Sequence, residues 1–105
     1  MPEPDWSYST RWLTAVSLNP EIIGMTASQF IHRLAEEMIE VRPVWKPMHL
    51  QPVFEGTRHF AHGNEPVSDR IFETGVCLPS GSNMTSAEID RIIDAIKSAV
   101  GAVSR

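Results

Sequence analysis

The fold of this chain is decided by the segment Arg42-Pro43-Val44-Trp45-Lys46-Pro47-Met48-His49-Leu50-Gln51-Pro52. Each proline fixes its own φ, lacks a backbone donor and drives the preceding residue toward extended geometry. The segment, called the proline strip below, is therefore predicted to be non-helical, extended and stiff. It also carries a guanidinium, an indole, an ammonium, an imidazole and an amide. Because a stiff segment loses little entropy on docking, this pattern is typical of a recognition surface.

Two apolar patterns precede the proline strip. Residues 12–18 are apolar and partly β-branched and end at Asn19-Pro20, which predicts a first strand. Thr26 and Gln29 have the spacing of a capping box, and the apolar residues after them recur with a helical period. This predicts a long helix that must end by Val41, because Pro43 forbids continuation. Residues 1–10 are polar and contain prolines, so they are predicted to form a lead-in.

The second half of the chain predicts a loop, a short helix, a short strand and a long helix. Residues 53–66 have the mixed polarity of a long surface loop. Ser68 is predicted to cap a short helix that Gly75 ends, and residues 76–78 are predicted to form a strand that stops at Pro79. After a turn at residues 80–83, Thr85 and Glu88 form a second capping box. The helix that follows has an apolar stripe at Ile89, Ile92, Ile93, Ile96 and Val100.

This order of elements predicts one α+β domain over residues 11–105. We expect two layers, in which a small, mostly antiparallel sheet of about three strands packs on two long helices and one short helix. A chain of 105 residues is long enough for one modest core. A sheet this small often needs more protein to stabilise it.

Composition excludes several classes of function. A net charge of −4 with no basic run argues against a nucleic-acid partner. The longest apolar runs are too short to span a bilayer, and the first residues lack the pattern of a signal peptide. Cys77 is the single cysteine, so no internal disulfide can form, and a reducing cytoplasm is the expected location.

Three motifs resemble those of a known family. They are residues 11–14 (Arg-Trp-Leu-Thr), the proline strip with its flanks over residues 40–54, and residues 75–83 (Gly-Val-Cys-Leu-Pro-Ser-Gly-Ser-Asn). With the closing helix, they resemble the C-terminal small domain of the DegT/DnrJ/StrS family of sugar aminotransferases. The nearest likeness is to the branch that acts on UDP-linked N-acetylated 4-keto-6-deoxy sugars, as in bacillosamine-type or pilin-glycan pathways. The similarity runs from about residue 9 to about residue 100.

The resemblance implies a pyridoxal phosphate enzyme of the aspartate-aminotransferase fold type (fold type I). Such an enzyme works as a homodimer with sites at the subunit interface, and moves an amino group from glutamate to the keto carbon of a nucleotide-linked sugar. Complete members are several times longer, and their large domain carries the Schiff-base lysine and the phosphate cradle. We therefore expect this chain to be a fragment that is inactive without the large domain. The alternatives are a stand-alone α+β binding or interaction module, or a non-functional gene remnant.

Five residues of the proline strip are predicted substrate contacts, each with a plainer alternative. His49 could donate a hydrogen bond to a sugar hydroxyl or a donor carboxylate, or it could hold loop backbone. Trp45 could form a wall of the pocket or belong to the core, and Gln51 could contact substrate or satisfy backbone groups. Lys46 could contact a diphosphate or carboxylate; a Schiff-base role lacks the desolvated site it requires. Arg42 could bind an anion in bidentate fashion or pair with Glu40.

Other polar residues are expected to be structural. Arg11 and Trp12 are predicted to support the first strand, and Cys77 is predicted to be a buried, inert thiol. His59 and His62 form an H-x-x-H pair, but two ligands without a third do not predict a metal site. Residues 80–83 could bind an anion at a helix N-terminus, although turn and capping chemistry already accounts for them.

Overall fold

A three-stranded antiparallel sheet lies at the centre of the fold. The computed structural model describes residues 3–61, 63 and 66–101. The strands are β1 (Thr14–Ser17), β2 (Arg42–Pro43) and β3 (Gly75–Leu78), in the spatial order β1-β3-β2. Ala15 and Arg42 both pair with Cys77, on opposite sides of the central strand. The predicted α+β class and antiparallel sheet are confirmed, although the first strand is shorter than the predicted 12–18.

The residues that the structure describes include four α-helices. They are α1 (Pro20–Ile23), α2 (Ala27–Glu36), α3 (Val67–Thr74) and α4 (Ser86–Gly101). Of these, α2 and α3 contact the sheet directly. The short α1 was not predicted, because Asn19-Pro20 reads as a strand terminator. In the structure Asn19 caps this helix, accepting a bond of 3.0 Å from the amide of Glu21, and Pro20 occupies the first turn.

Both predicted capping boxes are present. The hydroxyl of Thr26 accepts from the amide of Gln29 at 3.2 Å, and the Gln29 side chain accepts from the amide of Thr26 at 2.8 Å. Thr85 and Glu88 repeat the arrangement at α4, with 3.3 Å and 2.7 Å for the matching bonds. The prediction that α3 is capped by Ser68 is wrong. Ser68 lies inside α3 and contacts Asp69, and the preceding Pro66 provides no side-chain cap.

Helix α2 ends at Glu36, well before the predicted limit at Val41. The amide of Ile39 donates to the carbonyl of Leu34 at 2.9 Å, and the amide of Met38 donates to that of Ala35 at 3.0 Å. With Met38 at a φ of 56°, these bonds form a Schellman motif. The helix therefore ends by its own C-cap rather than at Pro43.

The core lies between α2, β3 and α4. Phe30 and Leu34 of α2 and Val76 of β3 are completely or almost completely buried, and Ala99 of α4 packs with them. The predicted apolar stripe of α4 divides into two parts. Ile92, Ile96 and Val100 pack against the core, whereas Ile89 and Ile93 remain 42 % and 41 % exposed.

The proline strip is extended only in its first half. It begins as β2, and then forms two 3₁₀ turns at Met48–Leu50 and Pro52–Phe54. The prediction that the whole strip is non-helical is wrong, because a proline at the first position of a turn sacrifices no internal hydrogen bond. The second turn also takes the first two residues of the predicted loop over 53–66.

The molecule exposes more surface than a protein of its size usually does. Its accessible area is 8559 Å², whereas the usual relation of area to mass gives about 5,900 Å². Its radius of gyration is 16.3 Å, against about 13 Å for a compact domain of this length. In the described part of the chain, no helix has the length and apolarity needed to cross a membrane.

Candidate functional site

A groove of about 620 Å³ lies beside the sheet and is lined on one side by the proline strip. Strip residues Arg42, Trp45 and Lys46 contribute to its lining, together with Trp12 and the buried Cys77 of β3. Arg42 and Cys77 are paired across β2 and β3, so both lie on the face of the sheet that lines the groove. The groove therefore has an apolar floor and a rim of cationic and aromatic side chains.

Two tryptophans form part of the groove. The ring centroids of Trp12 and Trp45 are 5.9 Å apart, with a tilt of 43° between the rings. They are 71 % and 67 % exposed. The alternative that Trp45 is a core residue is therefore wrong. Trp12 lies just before β1, which begins at Thr14, and its predicted structural role stays a prediction.

The two cations of the strip differ in their surroundings. The Nε of Arg42 donates to Oε1 of Glu40 at 2.7 Å, and both side chains are mostly exposed. An exposed pair of this kind contributes little stability, so an incoming anion can compete for the guanidinium. Lys46 is exposed and makes no ion pair with any described residue. Anion binding by either residue stays a prediction.

Gln51 stabilises the first 3₁₀ turn of the proline strip through hydrogen bonds within the strip. Its side-chain amide donates to the backbone carbonyl of Lys46 at 3.1 Å, and its backbone amide donates to the carbonyl of Met48 at 3.0 Å. These contacts are the plainer alternative of the sequence analysis, in which the amide satisfies backbone groups. Gln51 therefore fixes the curvature of the segment that carries Lys46 and His49, and a substrate contact stays a prediction.

His49 lies in the first 3₁₀ turn and is tied to two residues outside the strip. Its Nε2 is 2.8 Å from Oδ1 of Asp69 in α3, and the two side chains are only 18 % and 25 % exposed. The imidazole of His59 stacks on that of His49, with centroids 3.6 Å apart and 17° between the planes. Nε2 is fully buried, and although it lies close to the Asp69 carboxylate it has no hydrogen bond of good geometry among the described residues.

The pKa of Asp69 shows that this cluster favours the carboxylate. Desolvation by burial tends to raise the pKa of Asp69, but contacts with the His49 imidazole and the Ser68 hydroxyl lower it. The charges of His49 and His59 act in the same direction, and the net shift is below the ordinary value. The cluster therefore stabilises an ionised Asp69 against His49.

Sequence reasoning did not foresee the contacts of Asp69 and His59. The sequence analysis considered His59 as part of an H-x-x-H pair with His62, for which it did not predict a metal site, and His62 lies outside the described residues. Among the residues that the structure describes, no three His, Cys, Asp or Glu side chains are placed to hold a metal. Asp69 is an acidic residue in the first turn of α3, a position that the sequence shows. Its contact with His49, far away in the sequence, leaves no such local signal.

Ser80, in the turn after β3, has a structural role. The amide of Thr14 donates to Oγ of Ser80 at 2.8 Å, and Ser80 donates to the carbonyl of Leu78 at 2.9 Å. Ser80 thus links the first residue of β1 to the last residue of β3. Cys77 is 8 % exposed between apolar neighbours, in agreement with its predicted burial.

The lysines of this chain do not fit the role of the lysine that forms a Schiff base with pyridoxal phosphate. That role needs a desolvated amine beside a phosphate-binding cradle. Lys46 and Lys97 are the lysines of the sequence, and both are exposed. Nζ of Lys97 lies 3.9 Å from Asp94 on the outer face of α4. No chemical step through this cofactor can therefore be assigned to these residues.

Comparison with known proteins explains this combination of features. Residues 1–97 match the family model of the DegT/DnrJ/EryC1/StrS aminotransferases. The chain belongs to this family. Its members depend on pyridoxal phosphate, so the cofactor belongs to the family chemistry, although residues 3–61, 63 and 66–101 show no site for it.

Two curated relatives within the DegT/DnrJ/EryC1/StrS family are similar in sequence. EpsN of Bacillus subtilis, named as a candidate pyridoxal phosphate-dependent aminotransferase, is 43 % identical over 97 residues, which cover 91 % of this chain and 24 % of EpsN. GDP-perosamine synthase of Caulobacter vibrioides is 34 % identical over 85 residues, covering 81 % of this chain and 22 % of the synthase. The chain therefore spans about a quarter of the length of these relatives.

Two solved structures share the fold. The aminotransferase TlmJ of Streptoalloteichus hindustanus has a TM-score of 0.77 at 17 % identity, over 100 % of this chain and 26 % of TlmJ. The candidate sugar aminotransferase Spr1654 of Streptococcus pneumoniae, in its PMP form, has a TM-score of 0.68 at 23 % identity, over 87 % and 22 %. The predicted resemblance to the small domain of DegT/DnrJ/StrS aminotransferases is confirmed.

Proposed function

We propose that this chain supplies the small domain of a pyridoxal phosphate-dependent aminotransferase that acts on a nucleotide-linked keto sugar. In this proposal glutamate is the amino donor, and the acceptor is a sugar of the UDP-4-keto-6-deoxy-N-acetylhexosamine type. The large domain of the enzyme provides the Schiff-base lysine and the phosphate cradle, so the chain is inactive alone. The cationic and aromatic groove beside the proline strip carries this proposal.

The groove has the chemistry that a nucleotide sugar requires. Arg42 and Lys46 offer positive charge to a diphosphate, and neither is held in a buried ion pair with any residue that the structure describes. Trp12 and Trp45 offer exposed indole faces, on which a sugar or a base can stack. The groove floor is apolar, as is usual where a few polar groups orient a ligand.

The large exposed surface supports association with further protein. The accessible area of 8559 Å² exceeds the usual value by roughly 2,700 Å², which is enough to form a domain interface of ordinary size. We propose that this surface meets the large domain and that the complete enzyme is a homodimer. A reducing cytoplasm suits the free thiol of Cys77.

A chimera tests the proposal directly. This chain replaces the matching segment of EpsN, and the purified chimera is given pyridoxal phosphate, glutamate and UDP- or GDP-linked 4-keto-6-deoxy sugars. We expect an aminated product by mass spectrometry. A chimera that folds and binds the cofactor but aminates none of these sugars would contradict the proposed activity.

Point variants of the chimera test the groove. Trp45→Ala and Lys46→Ala should each lower kcat/KM for the nucleotide sugar at least tenfold, because each removes a contact in the groove. Trp6→Ala and Lys97→Ala are the matched controls, since both side chains are exposed and neither lines the groove. Equal kinetics for all four variants would remove the groove from the substrate site. If the purified chain is a monomer and the chimera that contains it shows no aminotransferase activity, the stand-alone binding module is the favoured alternative.

A further inference from the structure

We propose that Glu40 is a specificity-determining residue of the groove, which disfavours free nucleotides relative to nucleotides that are linked to a sugar. Its carboxylate lines the groove together with Arg42 and Lys46. There it repels negative charge on a ligand, and the repulsion is stronger for the ligand that carries more charge. The identity of the ligand rests on the proposed function, whereas the position of Glu40 beside Arg42 does not.

Burial alternates residue by residue where the chain enters β2. Ile39 and Val41 belong to the buried core, whereas Glu40 and Arg42 are exposed and line the groove. This period of two is that of an extended segment, in which successive side chains point to opposite faces. The backbone therefore directs the carboxylate and the guanidinium into the same space.

The contact between these two side chains uses one edge of the guanidinium. Oε1 of Glu40 accepts from Nε of Arg42 at 2.7 Å and also pairs with Nη2. Nη1 makes no hydrogen bond or ion pair with any residue that the structure describes. Because a guanidinium has several donors in a fixed fork, Arg42 can bind a phosphate through Nη1 while Glu40 keeps the Nε edge. The phosphate and the carboxylate are then about 8 Å apart or less, on either side of one guanidinium.

The pair contributes little to the stability of the fold. The side chains of Arg42 and Glu40 are 76 % and 71 % exposed, and exposed ion pairs are weak because water screens them. Among the described residues that line the groove, the charged ones are Glu40, Arg42 and Lys46. The main effect of Glu40 is therefore on the charge of the groove, where it opposes two cations.

Two forms of a nucleotide differ in the charge that this groove must accept. The diphosphate of a nucleotide-linked sugar is esterified at both ends and carries one negative charge on each phosphate. A free nucleoside diphosphate ends in a phosphate group whose second pKa is about 6, so it carries a further charge at neutral pH. Arg42 and Lys46 match the two charges of the esterified diphosphate. The further charge of the free nucleotide has no cation of its own in this lining and is repelled by Glu40.

Isothermal titration calorimetry of the 105-residue chain tests the proposal, with UDP and UDP-N-acetylglucosamine as the probes. At low salt, Glu40→Gln should lower the Kd of UDP relative to the Kd of UDP-N-acetylglucosamine by about threefold, because one repelling charge is removed. Glu40→Ser is also neutral and should give the same change, and Glu40→Asp should keep most of the discrimination because it keeps the charge. In about 1 M NaCl the difference between Glu40→Gln and the unmodified chain should disappear, since salt screens exposed charges.

Asp90→Asn is the matched control, because it removes the same charge on the other side of the sheet. Asp90 is exposed on α4, which packs through Ala99 with Val76 of β3. Cys77, the next residue of β3, points to the opposite face and lines the groove. The control should keep the Kd ratio of the unmodified chain. Urea unfolding checks that each variant keeps its fold, as the exposure of Glu40 leads us to expect.

Three calorimetric results would overturn the proposal. An unchanged Kd ratio in Glu40→Gln and Glu40→Ser would show that the carboxylate does not discriminate between the probes. Weaker binding of both probes by these variants would show that Glu40 positions Arg42 for the ligand instead of repelling it. Absence of binding by both probes in the unmodified chain would remove the groove as an anion site, and the role of Glu40 with it.

Inhibition of the EpsN chimera separates this proposal from the proposed function. UDP should compete with the nucleotide sugar, and Glu40→Gln should lower the ratio of the Ki of UDP to the KM of the sugar nucleotide by about threefold with kcat unchanged. A chimera that aminates its substrate with the same ratio in both forms would overturn the role of Glu40 alone. A chimera that aminates no sugar would contradict the proposed function, and the calorimetric ratio still decides the role of Glu40.

Discussion

Val44 and Gly75 approach each other too closely for position 75 to hold any side chain. The amide of Val44 donates to the carbonyl of Gly75 at 3.2 Å, which continues the pairing of β2 and β3 by one residue. A Cβ atom at position 75 would lie 2.9 Å from both methyl groups of Val44 and even closer to the carbonyl of Ile71. Gly75 is therefore required where α3 turns directly into β3.

The Gly75→Ala variant should be strongly destabilised. The new methyl group meets backbone in α3, which cannot move without disturbing the central strand, and overpacking of this kind costs about 1–3 kcal/mol. Urea unfolding followed by circular dichroism measures the loss. Gly101→Ala is the control, because a Cβ there meets nothing within 4 Å. Equal stability of the two variants would contradict the packing described here.

Met38 occupies a backbone conformation that favours glycine. Its φ is 56° at the C-terminal cap of α2, and its side chain is 86 % exposed, so the side chain adds little to offset the strain. Met38→Gly should raise the free energy of unfolding by about 0.5–1 kcal/mol. Met48→Gly provides the matched control, since Met48 is also exposed but has a negative φ in its 3₁₀ turn. That variant should lose stability, and a loss at both positions would argue against strain at Met38.

The capping box of α4 should make stability depend on acidity. The amide of Thr85, and then its hydroxyl, donate to the Glu88 carboxylate and lower the pKa of Glu88. A depressed pKa in the folded state contributes stability that is complete above the unfolded pKa of about 4.3. This contribution is lost as the pH falls through the lower, folded pKa.

Glu88→Gln should therefore lose less stability than the unmodified chain between pH 7 and pH 3. Thermal unfolding at both pH values measures the difference. Glu73→Gln serves as the control, because Glu73 makes no side-chain hydrogen bond or ion pair with any described residue. It should follow the acid dependence of the unmodified chain. Identical curves for the two glutamine variants would exclude Glu88 as a source of the dependence.

Local sequence signals predicted the parts of the fold that depend on neighbouring residues. Both capping boxes were visible from the spacing of Thr26 with Gln29 and of Thr85 with Glu88, because each box closes within a single turn. The early end of α2 was not visible. It depends on Met38 adopting a left-handed conformation, which sequence alone predicts for glycine or asparagine.

Contacts between distant parts of the chain were not predicted, because local sequence signals do not report on residues far apart in the sequence. The imidazole of His49 is held by Asp69, which lies twenty positions later in α3, and by His59 in the loop between them. Neither pairing leaves a periodic signal in the sequence. The proline strip was predicted to be a recognition surface from its composition, and the groove beside it supports that interpretation. The two 3₁₀ turns that orient His49 became visible only with the structure.

Trp45 should matter for binding and hardly at all for stability. Its indole is 67 % exposed beside Trp12, whereas Phe30 is 1 % exposed in the core. Trp45→Ala should change the free energy of unfolding by no more than about 0.5 kcal/mol, as is usual for exposed positions. Phe30→Ala, the comparison variant, should lose about 3–5 kcal/mol because it opens a cavity beside Leu34 and Val76. Urea unfolding monitored by circular dichroism compares them. A loss above about 2 kcal/mol for Trp45→Ala would mean that this indole stabilises the fold, and the groove would then lack its exposed stacking surface.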